Sequence, residues 1–258
     1  MKILLTGATG YIGKRLLPVL IEKGHDVVCC VRDRGRLNLG RELASKVTVV
    51  EADFLDPGSL EAIPDDIEGA YYLVHSMSSH SGDFGEMERR SATNFRDRMD
   101  RTQVGHVIYL SGIINDKNLS KHLASRKQVE DILDSGRYAL TTLRAGIIIG
   151  SGSASFEIIR DLVEKLPVMI APRWLKTRSQ PIAVRDVISF LERSLGDERT
   201  WNRNFDIGGP DVLTYKEMLM QYAQVRGLRR AIFSVPVLTP KLSSYWLYFV
   251  TSTAIRWL

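Results

Sequence analysis

Thr6-Gly7-Ala8-Thr9-Gly10-Tyr11-Ile12-Gly13 is the stretch whose reading decides the fold. A short apolar run precedes it at residues 3–6, and an amphipathic helical pattern follows at 12–23. The spacing is G-x-x-G-x-x-G. Gly7 suits a tight turn, Gly10 a close backbone approach to a ligand, and Gly13 close packing of helix on strand. A helix that starts here turns its unpaired N–H groups and positive dipole end toward the turn, which suits a phosphate. Alone, three glycines are a weak motif. With a strand before and a helix after, Gly7, Thr9, Gly10, Tyr11, Ile12 and Gly13 read as a cradle for a dinucleotide.

Outward from the cradle, apolar runs at 26–31, 47–50, 70–74, 106–110 and 139–143 read as further strands. Several are continuous rather than alternating, as expected where helices cover both faces of a parallel sheet. Helical patterns at 36–45, 84–101 and 120–134 fall between them. The rhythm predicts an α/β fold: a Rossmann-type, doubly wound parallel sheet. After Gly150 the pattern shifts to a helix at 156–166, a Pro-punctuated stretch, a strand at 182–184, a helix at 187–195, a strand at 204–207 and a helix at 215–225. The expected organisation is a dinucleotide-binding domain over 1–150 and a smaller carboxyl-terminal substrate lobe over 151–235, interleaved with the sheet. An apolar aromatic tail occupies 236–258.

The end of the second strand bears on which dinucleotide. Asp33 stands where a ribose-binding acid is expected, but Arg32, Arg34 and Arg36 surround it. Guanidinium forks suit a 2′-phosphate, and an acid repels one. NADP(H) is favoured over NAD(H), with Arg32 and Arg36 as the contacts. Asp53 and Phe54 follow the third strand, where Asp53 can accept from the adenine amino group. His75 and Ser76 follow the fourth, where the backbone runs beside the cofactor.

Composition narrows the rest. The 258 residues are 44% hydrophobic and 25% charged, enough for a full core without metals or disulfides. Cys29 and Cys30 are adjacent in a strand, point to opposite faces and read as buried thiols in a reducing compartment. The amino terminus enters the fold at once and no apolar run nears the roughly 20 residues of a spanning helix, so a cytoplasmic location is expected. The five histidines show no HxH or HExxH spacing and there is no CxxC; no metal is expected. A net charge of +5 fits phosphate-bearing ligands or an anionic membrane surface. Nucleic-acid binding is disfavoured, since no stacking positions or helix-turn-helix pattern accompany the charge. The tail, with Tyr245, Trp246, Tyr248, Phe249 and Trp257, should cover itself against the body, a protein partner, a bilayer surface or a further segment.

Together the cradle, Val31-Arg32-Asp33, Ala52-Asp53, Leu143-Arg144-Ala145-Gly146 and Phe205-Asp206-Ile207-Gly208-Gly209-Pro210 resemble the short-chain dehydrogenase/reductase superfamily, in its extended and atypical branches. More narrowly, Leu73-Val-His-Ser-Met77 and Ala171-Pro-Arg-Trp174 resemble bacterial NAD(P)H-binding proteins. That group is similar to NmrA-like regulators and to the nucleotide-binding accessory subunit of respiratory complex I, and its members often continue into a second domain. Active superfamily members carry Tyr-x-x-x-Lys on the helix after the fifth strand, and a serine at that strand's end. Here the helix reads His122-Leu-Ala-Ser-Arg126. By the resemblance, His122 takes the proton-handling place, Arg126 the ribose-holding place and Ser111 the place of the serine. Imidazole can exchange protons near neutrality; guanidinium cannot.

Two functions are open at this point. One is an NADP(H)-dependent oxidoreductase acting on an unknown small molecule, with Phe156 and Trp174 as pocket walls and Arg144 or Arg173 meeting an anionic group. The other is a non-catalytic NADP(H)-binding redox sensor or structural subunit that engages a protein partner or membrane surface through the tail.

Overall fold

A computed structural model describes residues 1–74, 84–114, 121–171 and 173–234. Six strands follow the expected order: β1 (Lys2–Thr6), β2 (Asp26–Val31), β3 (Val47–Glu51), β4 (Gly69–Tyr72), β5 (His106–Gly112) and β6 (Ala139–Ala145). A seventh, Arg203–Ile207, completes a parallel sheet ordered seventh–β6–β5–β4–β1–β2–β3. The doubly wound Rossmann sheet expected from the sequence is therefore present. Strand order reverses between β1 and β4, and the crevice at such a switch point is where α/β sheets bind ligands. Thr6 fastens the switch: its hydroxyl donates to the Tyr71 carbonyl at 2.8 Å and accepts from Leu73 N–H at 2.9 Å.

The helices are α1 (Gly13–Glu22), α2 (Arg41–Ala44), α3 (Phe84–Met99), α4 (Lys121–Asp134), α5 (Ala154–Lys165), α6 (Val184–Ser194) and α7 (Tyr215–Val225). One face of the sheet, with Leu4, Val28, Tyr72 and Tyr109, buries Phe95 and Met99 of α3 and Val129 and Leu133 of α4 in a single core. The opposite face includes Tyr71, whose hydroxyl donates to the Leu191 carbonyl of α6 at 3.0 Å. Cys29 and Cys30 are both buried, and burial pushes both thiols up to about 12, so they stay protonated.

One helix falls short of the sequence pattern. The helix expected over 36–45 is reduced to the single turn of α2, preceded by a 3₁₀ turn at Arg34–Arg36. Leu37 (φ −90°, ψ 86°) and Gly40 (φ −57°, ψ 153°) leave the helical region between them. Asn38 and Gly40 are weak helix formers, and no residue of either turn is buried, so no packing overrides their preference.

The chain divides into two compact units, Met1–Ala145 with Arg185–Ile207, and Gly146–Val184 with Gly208–Leu258. Residues 185–207, placed by sequence in the smaller lobe, thus belong with the sheet. In the second unit Ile159, Leu162 and Val163 of α5 share a core with Met218, Leu219 and Ala223 of α7. Ser153 caps α5 through Phe156 N–H, and Thr214 and Glu217 form a reciprocal capping box on α7. Strands Val168–Ala171 and Ala231–Ser234 pair in parallel at the edge of this core.

Candidate functional site

The turn between β1 and α1 has room for backbone and for little else. Gly7 adopts φ +65°, and a Cβ there would lie 2.6 Å from the Leu73 carbonyl oxygen. A Cβ on Gly13 would stand 2.3 Å from the Gly7 oxygen, and one on Gly10 would stand 3.1 Å from the same atom. The Gly10 amide donates to that oxygen at 2.8 Å and closes the turn. Ile12 precedes α1 and gives it no side-chain cap, and the first turn contains no acid. The Lys14 and Arg15 N–H groups go to the Gly10 and Ile12 carbonyls at 3.1 and 3.0 Å, which leaves the Gly13 N–H and the positive end of α1 to an anion.

A cleft of about 300 Å³ opens over this turn. Gly7, Thr9, Gly10, Tyr11, Ile12 and Gly13 form its floor, Arg32 stands at the end of β2, and Asp53 and Phe54 stand after β3. All nine were singled out by sequence, and the fold brings them together around one cleft. The glycine cradle suits a pyrophosphate, because Gly7, Gly10 and Gly13 put bare backbone at the cleft, and a side chain at Gly7 or Gly13 would strike backbone and spread the turn. Val74, in the segment expected to run beside the cofactor, lines it too, and Cys30, Leu73, Ser91 and Leu110 also line it and were missed. Cys30 was within reach of sequence reasoning, since it lies two residues before Arg32. Ser91 was not, because α3 reaches the cleft only through tertiary packing.

The acid and the cations after β2 have different occupations. Asp33 is exposed, and its carboxylate accepts from Gly35 N–H at 2.8 Å, capping the 3₁₀ turn. Arg34 is drawn to β3, donating to the Val49 carbonyl at 2.8 Å. Arg36 is exposed on the turn and is not among the residues that line the cleft. Arg32 is the basic residue of the cluster that lines it. Asp53 takes Leu55 N–H on one carboxylate oxygen at 3.0 Å. Phe54 touches the cleft while its ring packs edge-on against Tyr72 and Phe95, with centroids 6.3 and 5.7 Å away. His75 and Ser76 lie outside the described residues.

Of the residues expected to handle protons, Ser111 lies at the carboxyl end of β5. Ser111 is 4% exposed, and its hydroxyl makes no hydrogen bond of standard geometry among the described residues. Arg126 is half-buried on α4, with its stem over Gly112: a Cβ there would be 3.7 Å from Arg126 Cδ and 3.5 Å from Leu123 Cδ2. Burial pushes the nearby Tyr109 phenol up, while the Arg126 charge and the Ser111 hydroxyl oppose that push. Neither Ser111 nor Arg126 is among the residues lining the 300 Å³ cleft. The His122 backbone belongs to α4; its side chain lies outside the described residues, as do those of Arg173 and Trp174.

Arg144, expected to meet an anionic substrate group, is otherwise engaged. Its guanidinium donates to both oxygens of Glu130 at 2.6 and 3.1 Å, and Glu130 is 3% exposed. The hydrogen bond to Glu130, with the surrounding acids, raises the Arg144 pKa further. Phe156 packs edge-to-face on Tyr222 at 5.6 Å, both residues belonging to the second unit. Among the described residues no group of His, Cys, Asp and Glu is arranged to hold a metal ion.

A family model described as NAD(P)H-binding matches residues 7–153. Divinyl chlorophyllide a 8-vinyl-reductase, chloroplastic, from Oryza sativa subsp. indica is 25% identical over 250 residues, covering 91% of this chain and 61% of the rice protein. The chain thus spans under two thirds of that relative's length. Photosystem II assembly factor Ycf39 from Trieres chinensis is 23% identical over 248 residues, covering 95% of this chain and 75% of the relative. Among solved structures, a nucleoside-diphosphate-sugar epimerase from Staphylococcus aureus superposes with a TM-score of 0.77 at 17% identity, covering 95% and 84% of the two chains. A short-chain dehydrogenase/reductase superfamily protein from Agrobacterium tumefaciens with bound NAD gives 0.72 at 14%, covering 92% and 85%. At such identities the two structures establish the fold alone.

Proposed function

This chain belongs to the NAD(P)H-binding family, and from that premise we propose that it is an NADP(H)-dependent oxidoreductase of the short-chain dehydrogenase/reductase type, acting on a small organic molecule. The observation that carries the nucleotide choice is the division of labour after β2. Arg32 lines the cleft while the Asp33 carboxylate is held by Gly35 N–H. An acid turned into the cleft would bond a ribose 2′-hydroxyl and repel a 2′-phosphate; a guanidinium does the reverse. In this reading the amides of the glycine turn hold the pyrophosphate and Arg32 takes the 2′-phosphate, with Arg36 lending charge from the exposed turn. The free oxygen of Asp53 meets the adenine amino group.

The bound nucleotide supplies a hydride, so the protein must supply a proton. Arg126 holds the ribose, and His122, one helical turn earlier on the same face of α4, is the proton donor. Binding without turnover is the second reading. It is favoured by the absence of the family's tyrosine and lysine from α4, and by an arginine that holds charge but exchanges no proton.

Fluorescence titration should give at least tenfold tighter binding of NADPH than NADH, and Arg32→Ala should erase most of that difference. Equal affinities in the wild type remove the 2′-phosphate argument. With a panel of small carbonyl compounds, His122→Phe should abolish NADPH oxidation and leave NADPH affinity nearly intact. Undiminished oxidation returns His122 to a structural role, and tight binding with no oxidation by the wild type selects the second reading.

A further inference from the structure

In the second unit, Ile232 and Met169 are register partners whose side chains are buried in its core. Their sequence neighbours must then point outward from the two-stranded sheet. Val168 is 55% exposed and Phe233 58%. Apolar side chains of this size, each more than half exposed on one sheet face, are a feature that a solitary globular surface avoids in clusters. The chain enters Phe233's strand from Leu228, Arg229 and Arg230, which with Glu217, Met220 and Gln224 line a shallow groove of about 520 Å³ beside α7. Arg229 is exposed, whereas Arg230 is held by the carbonyls of Val163 and Glu164 at 2.5 and 3.3 Å.

Charge says what this face suits. Residues 218–258 contain Arg226, Arg229, Arg230, Lys241 and Arg256 and no acid, so they carry the entire net charge of +5. The acids and bases of the first 217 residues balance. The same acid-free stretch holds Phe233, Tyr245, Trp246, Tyr248, Phe249 and Trp257. Bases without acids, combined with Trp, Tyr and Phe, are the composition of segments that lie at the headgroup level of anionic bilayers. No helix among the described residues is long and apolar enough to cross a membrane.

We propose that the face carrying Val168, Phe233 and Arg229 docks on the surface of an anionic lipid bilayer. Val168 and Phe233 enter the headgroup boundary, and the exposed Arg229 supplies the attraction to anionic lipid, since Arg226 is already paired with Glu164 at 3.2 Å. A proteinaceous partner of mixed charge would not call for an acid-free segment of this length.

The test is flotation of the full chain with vesicles of phosphatidylcholine alone or with about a third phosphatidylserine. Expected is at least a tenfold excess of bound protein on the anionic vesicles, falling steeply as salt shortens the screening length. Phe233→Ser and Arg229→Glu, both surface changes, should each cut binding at least fivefold while circular dichroism and NADPH affinity stay those of the wild type. Failure to bind anionic vesicles, or equal binding to neutral ones, overturns the proposal. So does a concentration-dependent dimer that Phe233→Ser dissolves in the absence of lipid, which would assign the face to a second copy. None of these readouts depends on catalysis.

Discussion

At Gly13 a single methyl group decides whether the turn can form. The would-be Cβ lies 2.3 Å from the Gly7 oxygen and 2.9 Å from the Ala8 Cα, and both are backbone atoms that no rotamer change can move. Gly13→Ala should therefore spread the turn, cost about 2–4 kcal/mol of stability and weaken NADPH binding at least tenfold. Urea denaturation and fluorescence titration would check both, and wild-type affinity would mean that the close approach is not needed to form the cradle. Glycines of this kind are legible in sequence because their constraint is local. Arg144 shows the opposite case. Nothing near it in sequence announces that Glu130, 14 positions earlier on α4, takes its charge. A long cation can serve a ligand or a buried acid, and only packing chooses. Arg32 and Arg34 divide in the same way: one turned to the cleft, the other tied to the Val49 carbonyl.

At the scale of elements, His106 joins β5 to its surroundings. Gly196 N–H donates to its Nδ1 at 3.0 Å, so the ring proton sits on Nε2 and is donated to Thr141 Oγ1 of β6 at 2.8 Å. Thr141 passes a hydrogen bond on to the Thr200 carbonyl at 2.7 Å. A second proton would find Nδ1 already facing a donor. Burial lowers the imidazole pKa to about 4 from 6.5. The neutral form is the one that the folded state favours, so the stabilisation is complete above pH 6.5 and is lost as pH falls toward 4. The size of the loss is about 3 kcal/mol. Urea midpoints at pH 7.5 and pH 4.5 should fall further for the wild type than for His106→Gln, whose amide does not titrate. Equal slopes would assign the acid sensitivity to carboxylates. Period and length sufficed to find α4 and α7, whose buried faces repeat at helix spacing, and β5, a short run buried almost throughout. They failed at α2, where apolar spacing mimics a helix but no face is buried.

For the whole molecule, the doubly wound parallel sheet followed from alternating β and α patterns, because right-handed crossovers leave few other arrangements, while the strand order and the switch point between β1 and β4 came only with the structure. The return of residues 185–207 to the sheet's unit did not, since it depends on the seventh strand pairing with β6 some 60 residues earlier in sequence. The consequence is testable by hydrogen exchange. All described residues lining the nucleotide cleft belong to the unit Met1–Ala145 with Arg185–Ile207, and they come from the ends of β1, β2, β3, β4 and β5 and from α3. A ligand that binds only the folded form stabilises it by about 2.7 kcal/mol at a hundredfold excess over Kd. Saturating NADPH should therefore slow amide exchange in peptides covering residues 6–13, 30–36, 52–55 and 73–74, with peptides from the groove at 217–230 unchanged. The strongest effect should fall on the amides of Ile12 and Gly13, because in this reading those N–H groups meet phosphate oxygens, while the Gly10 N–H already donates to the Gly7 carbonyl. Protection that appeared first in 217–230 would move the nucleotide to the other unit and remove the switch-point site. Protection of 6–13 without 30–36 would keep the pyrophosphate there while denying Arg32 its phosphate.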